Sequence, residues 1–188
     1  MSASTARASS STQSKVLGIA TAGAAVALFL GVYGRVHDPT GETVVQSVFS
    51  GQLQFKVWSA TLAVALALFQ LYSSLWMWGK VGDDTRPAWL GDAHRISGVA
   101  AFLFSLPVAY HCLWSLGFAE TNTRAVLHSV VGCVFYGAFA AKVLVLRSRG
   151  LPRQTLPIVG GLTFAALVLA WLTSSAWFLT NDLGVPIF

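Results

Sequence analysis

Five long stretches that are almost free of charge dominate this sequence and leave few folds open to it. They run over Val16–Gly34, Val57–Gly79, Ile96–Ala119, Ala125–Leu146 and Leu156–Thr180. A helix rises 1.5 Å per residue, so about 20 apolar residues cross the hydrocarbon core of a bilayer. Each stretch meets that length, and the turns between them are short. The third is interrupted only by Pro107, the fourth carries Lys142 near one end, and the fifth opens on Pro157. Proline in a first turn costs no hydrogen bond. The pattern predicts an all-α integral membrane bundle of five transmembrane helices.

Composition agrees. Hydrophobic residues make up 55% and charged residues 10% of the 188, against roughly 25% charged in a soluble domain. Seven Trp and twelve Phe suit lipid-facing and interfacial positions. The net charge of +5 does not indicate nucleic acid, because the basic residues are scattered between apolar runs and form no stripe. They are instead divided unequally between the two ends of the spans. Arg7, Lys15, Lys80, Arg86, Arg95, Lys142, Arg147, Arg149 and Arg153 fall on one side. Arg35, Lys56 and Arg124 fall on the other, beside Asp38, Glu42, Glu120 and Asp182. By the positive-inside rule the N-terminus is cytoplasmic and the C-terminus outside, as an odd number of spans requires. Residues 1–15, rich in Ser, Thr and Ala, read as a disordered cytoplasmic tail, and 16–188 as the membrane domain. The first span reads as a retained anchor, since no small-residue cleavage site follows it.

No Gly-rich phosphate loop, zinc-protease motif or nucleophile elbow is present, and the spans hold almost no carboxylates for a proton relay. The histidines carry the chemical signal. His111 lies eight residues before the third span ends, and His128 three residues after the fourth begins. Antiparallel spans place both imidazoles at similar depth, within ~5–12 Å of the outer boundary. Residues four apart stack on one helix face. His128 has Gly132 at that spacing, while His111 has Pro107 before it and Ser115 after it. Small neighbours give a flat macrocycle clearance to approach a helix, and Pro107 should bend the third helix just before His111. A pair of imidazoles on facing helices is a common way to hold haem iron inside a bundle. Two such side chains can equally serve as polar packing between helices.

His94 stands at the cytoplasmic mouth of the third span, 17 residues from His111 and turned about 100° from it on a straight helix. A second haem there would need Met77 or another chain for its other ligand. His37, followed by Asp-Pro-Thr-Gly, reads as an exposed loop imidazole. Cys112 and Cys133 have no metal-type spacing and read as buried free thiols. Small residues in the first, fourth and fifth spans, among them Gly23, Gly31, Gly132, Gly137, Gly160 and Gly161, read as close helix contacts.

The segments Ala93-His94-Arg95-Ile96-Ser97-Gly98, Val108-Ala109-Tyr110-His111 and Leu127-His128-Ser129-Val130-Val131-Gly132 resemble the histidine motifs of transmembrane b-type cytochromes. The ferric-reductase-like and ascorbate-reducible groups are the ones they look like. The resemblance implies one haem b and transmembrane electron transfer, with His111 and His128 as iron ligands and His94 as a further cofactor-binding residue. Over its whole length the chain also resembles a family of five-span actinobacterial membrane proteins of uncharacterised activity. That resemblance implies topology and a bacterial plasma membrane.

The sequence thus leads to a small b-type cytochrome, or haem-bearing subunit, that carries electrons between the quinone pool and an acceptor on the outer side. Its partners would be lipid, quinone and other membrane or periplasmic-side redox proteins. The alternative is a cofactor-free accessory subunit packed beside a larger complex.

Overall fold

The computed structural model describes residues 2–42, 51–83 and 85–181, so Asp84 and Asp182 lie outside the described residues. Five helices are long and apolar enough to cross a membrane: Ser10–Val36, Gln52–Met77, Leu90–Ser115, Thr123–Arg147 and Thr155–Asn181. They belong to α1 (Ser2–Val36), α2 (Gln52–Met77), α3 (Leu90–Tyr110), α4 (Thr123–Arg147) and α5 (Thr155–Trp171). α3 continues through a π-helical turn at His111–Ser115. α5 continues through another at Leu172–Ala176 into the short α6 (Trp177–Asn181). The chain is therefore a multi-pass membrane protein in contact with the lipid bilayer.

Span boundaries differ from expectation in two places. The third begins at Leu90 and ends at Ser115, so His111 is closer to its end than the apolar run suggested. More markedly, α1 reaches back to Ser2 through the stretch expected to be a disordered tail. Residues 2–15 contain neither Gly nor Pro, and a helix already nucleated in the span extends at little cost. Lys15 Nζ also donates 3.2 Å to the Arg149 carbonyl, tying this extension to the end of α4.

Local chemistry accounts for the other ends. Asn122 caps α4, its side-chain oxygen accepting from the Ala125 amide at 2.9 Å. Gly79, at φ +67°, ends α2 in the left-handed conformation that glycine adopts without strain.

α2 packs along α3, α4 along α5, and α1 along α4; α2 touches α5 more lightly. The buried core joins α2, α4 and α5 through Val64, Ala67, Phe135, Ala166 and Leu167. The α1–α4 contact runs through Gly23 and Gly137, where each backbone carbonyl occupies the space a Cβ on the other would need. The remaining small residues behave differently. Gly132, Gly160 and Gly161 have no atom within 4 Å of where a Cβ would stand. Close packing thus explains Gly23 and Gly137, with Gly31 in ordinary contact with Cys133, but not these three.

α3 and α4, consecutive in sequence, do not pack backbone to backbone. Aromatic side chains bridge them towards the middle, with Phe102 stacked on Phe139 at 4.1 Å and Tyr136 Oη donating to the Ser105 carbonyl at 2.9 Å. Nearer the end that carries His111 and His128, the separation opens into a cavity.

Candidate functional site

That cavity measures about 230 Å³ and draws its walls from all five long helices. Ala60, Val108, Leu167 and Trp171 make it apolar, and His128, Cys112, Lys56 and Tyr136 supply its polar atoms. A second cavity of about 210 Å³ adjoins it and shares Lys56, Val108, Cys112, His128 and Ser174. Together the two reach the lower part of the roughly 300–1,000 Å³ range of small-molecule sites.

Both π turns border this space. An α-helix has no room for an extra residue in its ladder, so a π turn bulges, and such bulges recur at functional sites. In α3 the π turn follows Pro107, whose ring removes the amide that would hold the preceding turn. α3 keeps its regular winding through Tyr110, so the change in winding begins at His111 itself and not before it, where the bend was expected. The π turn's last carbonyls bind the loop after α1: Thr40 N donates to Trp114 O at 3.2 Å and Gly41 N to Ser115 O at 3.1 Å.

His128 is held at one wall of the cavity. Its Nδ1 lies 3.0 Å from the Ala170 carbonyl of α5. A carbonyl only accepts, so Nδ1 carries the proton and Nε2 bears the lone pair. Nε2 stands 4.0 Å from Cys112 Sγ, which also lines the cavity. The open space over Gly132, one turn further along α4, is the clearance expected beside His128.

His111 has the same tautomer for the same reason. Its Nδ1 donates 2.7 Å to the Pro107 carbonyl, so Pro107 acts through its oxygen as well as through its ring. The His111 side chain is fully buried, against Phe55 at 6.2 Å and Tyr110 at 5.8 Å between ring centroids. It lines neither cavity that His128 lines. The two histidines share a depth, four residues before the third span ends and five after the fourth begins, but they do not share one gap. The reason is azimuth: Cys112, about 100° further round the helix, is the residue that α3 turns towards His128.

His94 sits at the other end of α3. Its Nδ1 lies 2.7 Å from Ser73 Oγ. The Ser73 hydroxyl donates to the Phe69 carbonyl at 2.6 Å, so Nδ1 is again the donor. Gln70 bonds the His94 carbonyl and Ser97 Oγ, and Gly98 leaves room for the Gln70 side chain, which a Cβ would strike. Neither Met77 nor His111 is among the hydrogen-bond partners of this cluster.

His37 is a correction. It follows α1 as expected, but its ring is not an exposed loop imidazole. It is sandwiched between Tyr33 at 5.0 Å and Trp114 at 4.6 Å, with a buried Nε2 that has no hydrogen-bond partner. One turn of helix separates Tyr33 from His37, and the loop bonds to the π turn bring Trp114 onto the other ring face.

Sequence reasoning places none of Lys56, Cys112, Arg124 and Tyr136 in the site: Cys112 reads as a buried thiol, and Lys56 and Arg124 only as boundary charges. Arg124 lines the second cavity, donates to the Thr173 carbonyl and lies 4.1 Å over the Trp177 ring. Lys56 lines both cavities beside Cys112. Cys112 and Cys133 are both free thiols, as expected, but only Cys133 is fully buried. Cations at a span boundary normally mark the water interface, so nothing in the pattern of Lys56 or Arg124 set them apart. Among the described residues, no three His, Cys, Asp or Glu side chains converge to hold a metal ion by themselves.

No curated protein and no solved structure matches this chain. Residues 16–186, nearly the whole sequence, match the family of unknown function DUF6529, and the chain belongs to that family.

Proposed function

We propose that this protein is a membrane-embedded haem b carrier, moving single electrons between the quinone pool and an acceptor on the outer side of a bacterial plasma membrane. The N-terminus would lie in the cytoplasm, on the side richer in Lys and Arg. The observation that carries the reading is His128. Its Nδ1–H is anchored to the Ala170 carbonyl, and its Nε2 lone pair stands at a cavity bordered by the open face of Gly132. Metal-ligating imidazoles are held in this manner, the outer nitrogen fixing both tautomer and ring orientation.

The residues fit the group in chemistry. The apolar walls favour a large unsaturated ring, and the two adjoining cavities together reach the lower part of the volume range of cofactor sites. Haem b bound there supplies a one-electron couple whose potential depends on its ligands and on burial. His128 is the iron ligand this geometry supports. His111 has the matching tautomer but faces Phe55 and Tyr110, so its Nε2 joins the site only if its ring turns away from them. His94, hydrogen-bonded to Ser73 at the opposite end, takes no part in this site.

The test is a reduced-minus-oxidised absorption spectrum of the detergent-purified protein, with pyridine-haemochrome stoichiometry. We expect one haem per chain by pyridine haemochrome, lost in His128→Ala, with a sharp b-type α-band only if a second ligand makes the iron low-spin. A bis-imidazole site gives a low-spin EPR signal that His111→Ala converts to high-spin; a His128-only site is high-spin in both. Folded protein from a haem-replete host with a flat spectrum overturns the reading and leaves the cofactor-free accessory subunit.

A further inference from the structure

The second cavity is distinguished by Arg124, from the first turn of α4, which lines it and not the first. Lys56, from the first turns of α2, lines both and stands where the two adjoin, with His128 and Ser174. Among the described residues, no Asp or Glu lines either cavity. The ion pairs among the described residues are Arg35 with Glu120 and Arg95 with Asp92, so neither Lys56 nor Arg124 has a carboxylate partner there.

Arg124 is nevertheless positioned, and Lys56 lines the same space. Arg124 is fixed by the Thr173 carbonyl and by the face of Trp177. A guanidinium has five N–H donors, and most of the fork remains for another acceptor. Two half-buried cations beside apolar walls carry a desolvation cost that a matching anion offsets. The neighbouring cavity, reached across the shared Lys56, Val108, Cys112, His128 and Ser174, is mostly apolar beyond them. The two spaces together complement a molecule with a flat apolar body and an anionic edge.

We infer that Lys56 and Arg124 form the carboxylate-binding end of the site and pair with the two propionate groups of the haem, while the apolar cavity takes the macrocycle. This inference rests on the haem reading above. It assigns the propionate edge to the end of the bundle where α2 and α4 begin, with His128 between the charged and apolar parts. Charge-assisted hydrogen bonds to carboxylates are about twice as strong as neutral ones, and Arg forms them in pairs.

The test titrates the full-length apo-protein, from haem-depleted cells, with haemin and with haemin dimethyl ester, whose propionates are uncharged. Binding is read from the Soret shift. Wild type should bind haemin about tenfold more tightly than the ester, a difference of about 1.4 kcal/mol. Lys56→Gln and Arg124→Gln should each reduce haemin affinity several-fold and leave ester affinity unchanged. Equal affinity of wild type for haemin and ester overturns the inference, even where a variant fails to fold. So does a parallel loss of both affinities in the variants. In those cases a Soret band that His128→Ala abolishes still upholds the haem reading. No binding of either compound by folded wild type overturns both.

Discussion

Two glycines five residues apart on α4 should respond to the same substitution in opposite ways. At Gly132 an added Cβ meets nothing within 4 Å, because it projects into the cavity. At Gly137 the same atom falls onto the Gly23 carbonyl and 2.9 Å from the Ala27 Cβ. Alanine is favoured over glycine in a helix by about 1 kcal/mol. Gly132→Ala should therefore be neutral or stabilising by up to that amount. Gly137→Ala gains the same propensity but overpacks the α1–α4 seam, a penalty of about 1–3 kcal/mol. Its net effect should be a loss of up to about 2 kcal/mol, concentrated on the attachment of α1. At about 2–4 °C per kcal/mol for a chain of this size, the two melting temperatures in detergent should separate by several degrees. Gly132→Leu extends the comparison: the helix should still fold, while the filled cavity prevents haem from binding. The reasoning fails if Gly137→Ala melts at or above the wild-type temperature, or if Gly132→Ala is the more destabilising of the two. Gly132→Leu that folds and still takes up a full complement of haem refutes the assignment of the cavity.

Three further outcomes follow from the polar contacts. Tyr136→Phe removes the hydroxyl that joins α4 to Ser105 of α3 and should cost about 0.5–1.5 kcal/mol in chemical or thermal unfolding. A larger loss would mean that this bond carries more of the α3–α4 contact than the Phe102–Phe139 stack does. His94→Ala breaks the bond to Ser73 and should lower stability by about 1 kcal/mol while leaving any haem spectrum unchanged; a shifted α-band would bring His94 into the site. Cys112 and Cys133 both line the cavity, Cys112 being the more exposed, so membrane-permeant maleimide should label Cys112 first, as read by mass spectrometry. Filling the cavity with haemin should protect both thiols, and labelling that haemin leaves unchanged would count against the described cavity.

Much of this molecule was legible in its sequence because lipid is an unforgiving solvent. A backbone crossing hydrocarbon must satisfy its own hydrogen bonds, so an apolar run of sufficient length becomes a helix whatever surrounds it. The five spans, their all-helical class and the similar depth of His111 and His128 follow from counting residues. The open face of Gly132 and the disturbance around Pro107 were also visible as local spacing. The extension of α1 through residues 2–15 was not, since Ser-rich composition alone does not reveal the carbonyl of Arg149 that holds Lys15.

What the sequence by itself determined is the number of helices, their length and the level of each polar side chain along the membrane normal. Rotation about each helix axis and the choice of neighbours were decided only by the tertiary structure. Depth is set by the bilayer one residue at a time, but azimuth is set by packing between helices, which lipid drives only weakly. The seam of Gly23 and Gly137 fixes α1 on α4, and the Ala170 carbonyl fixes His128. The π turn after Pro107 carries Cys112, with His111 turned away, towards the cavity. Lys56, at the start of α2, and Arg124, at the start of α4, meet at that cavity because separate helices end at one level and converge. No pattern within a single helix contains that information.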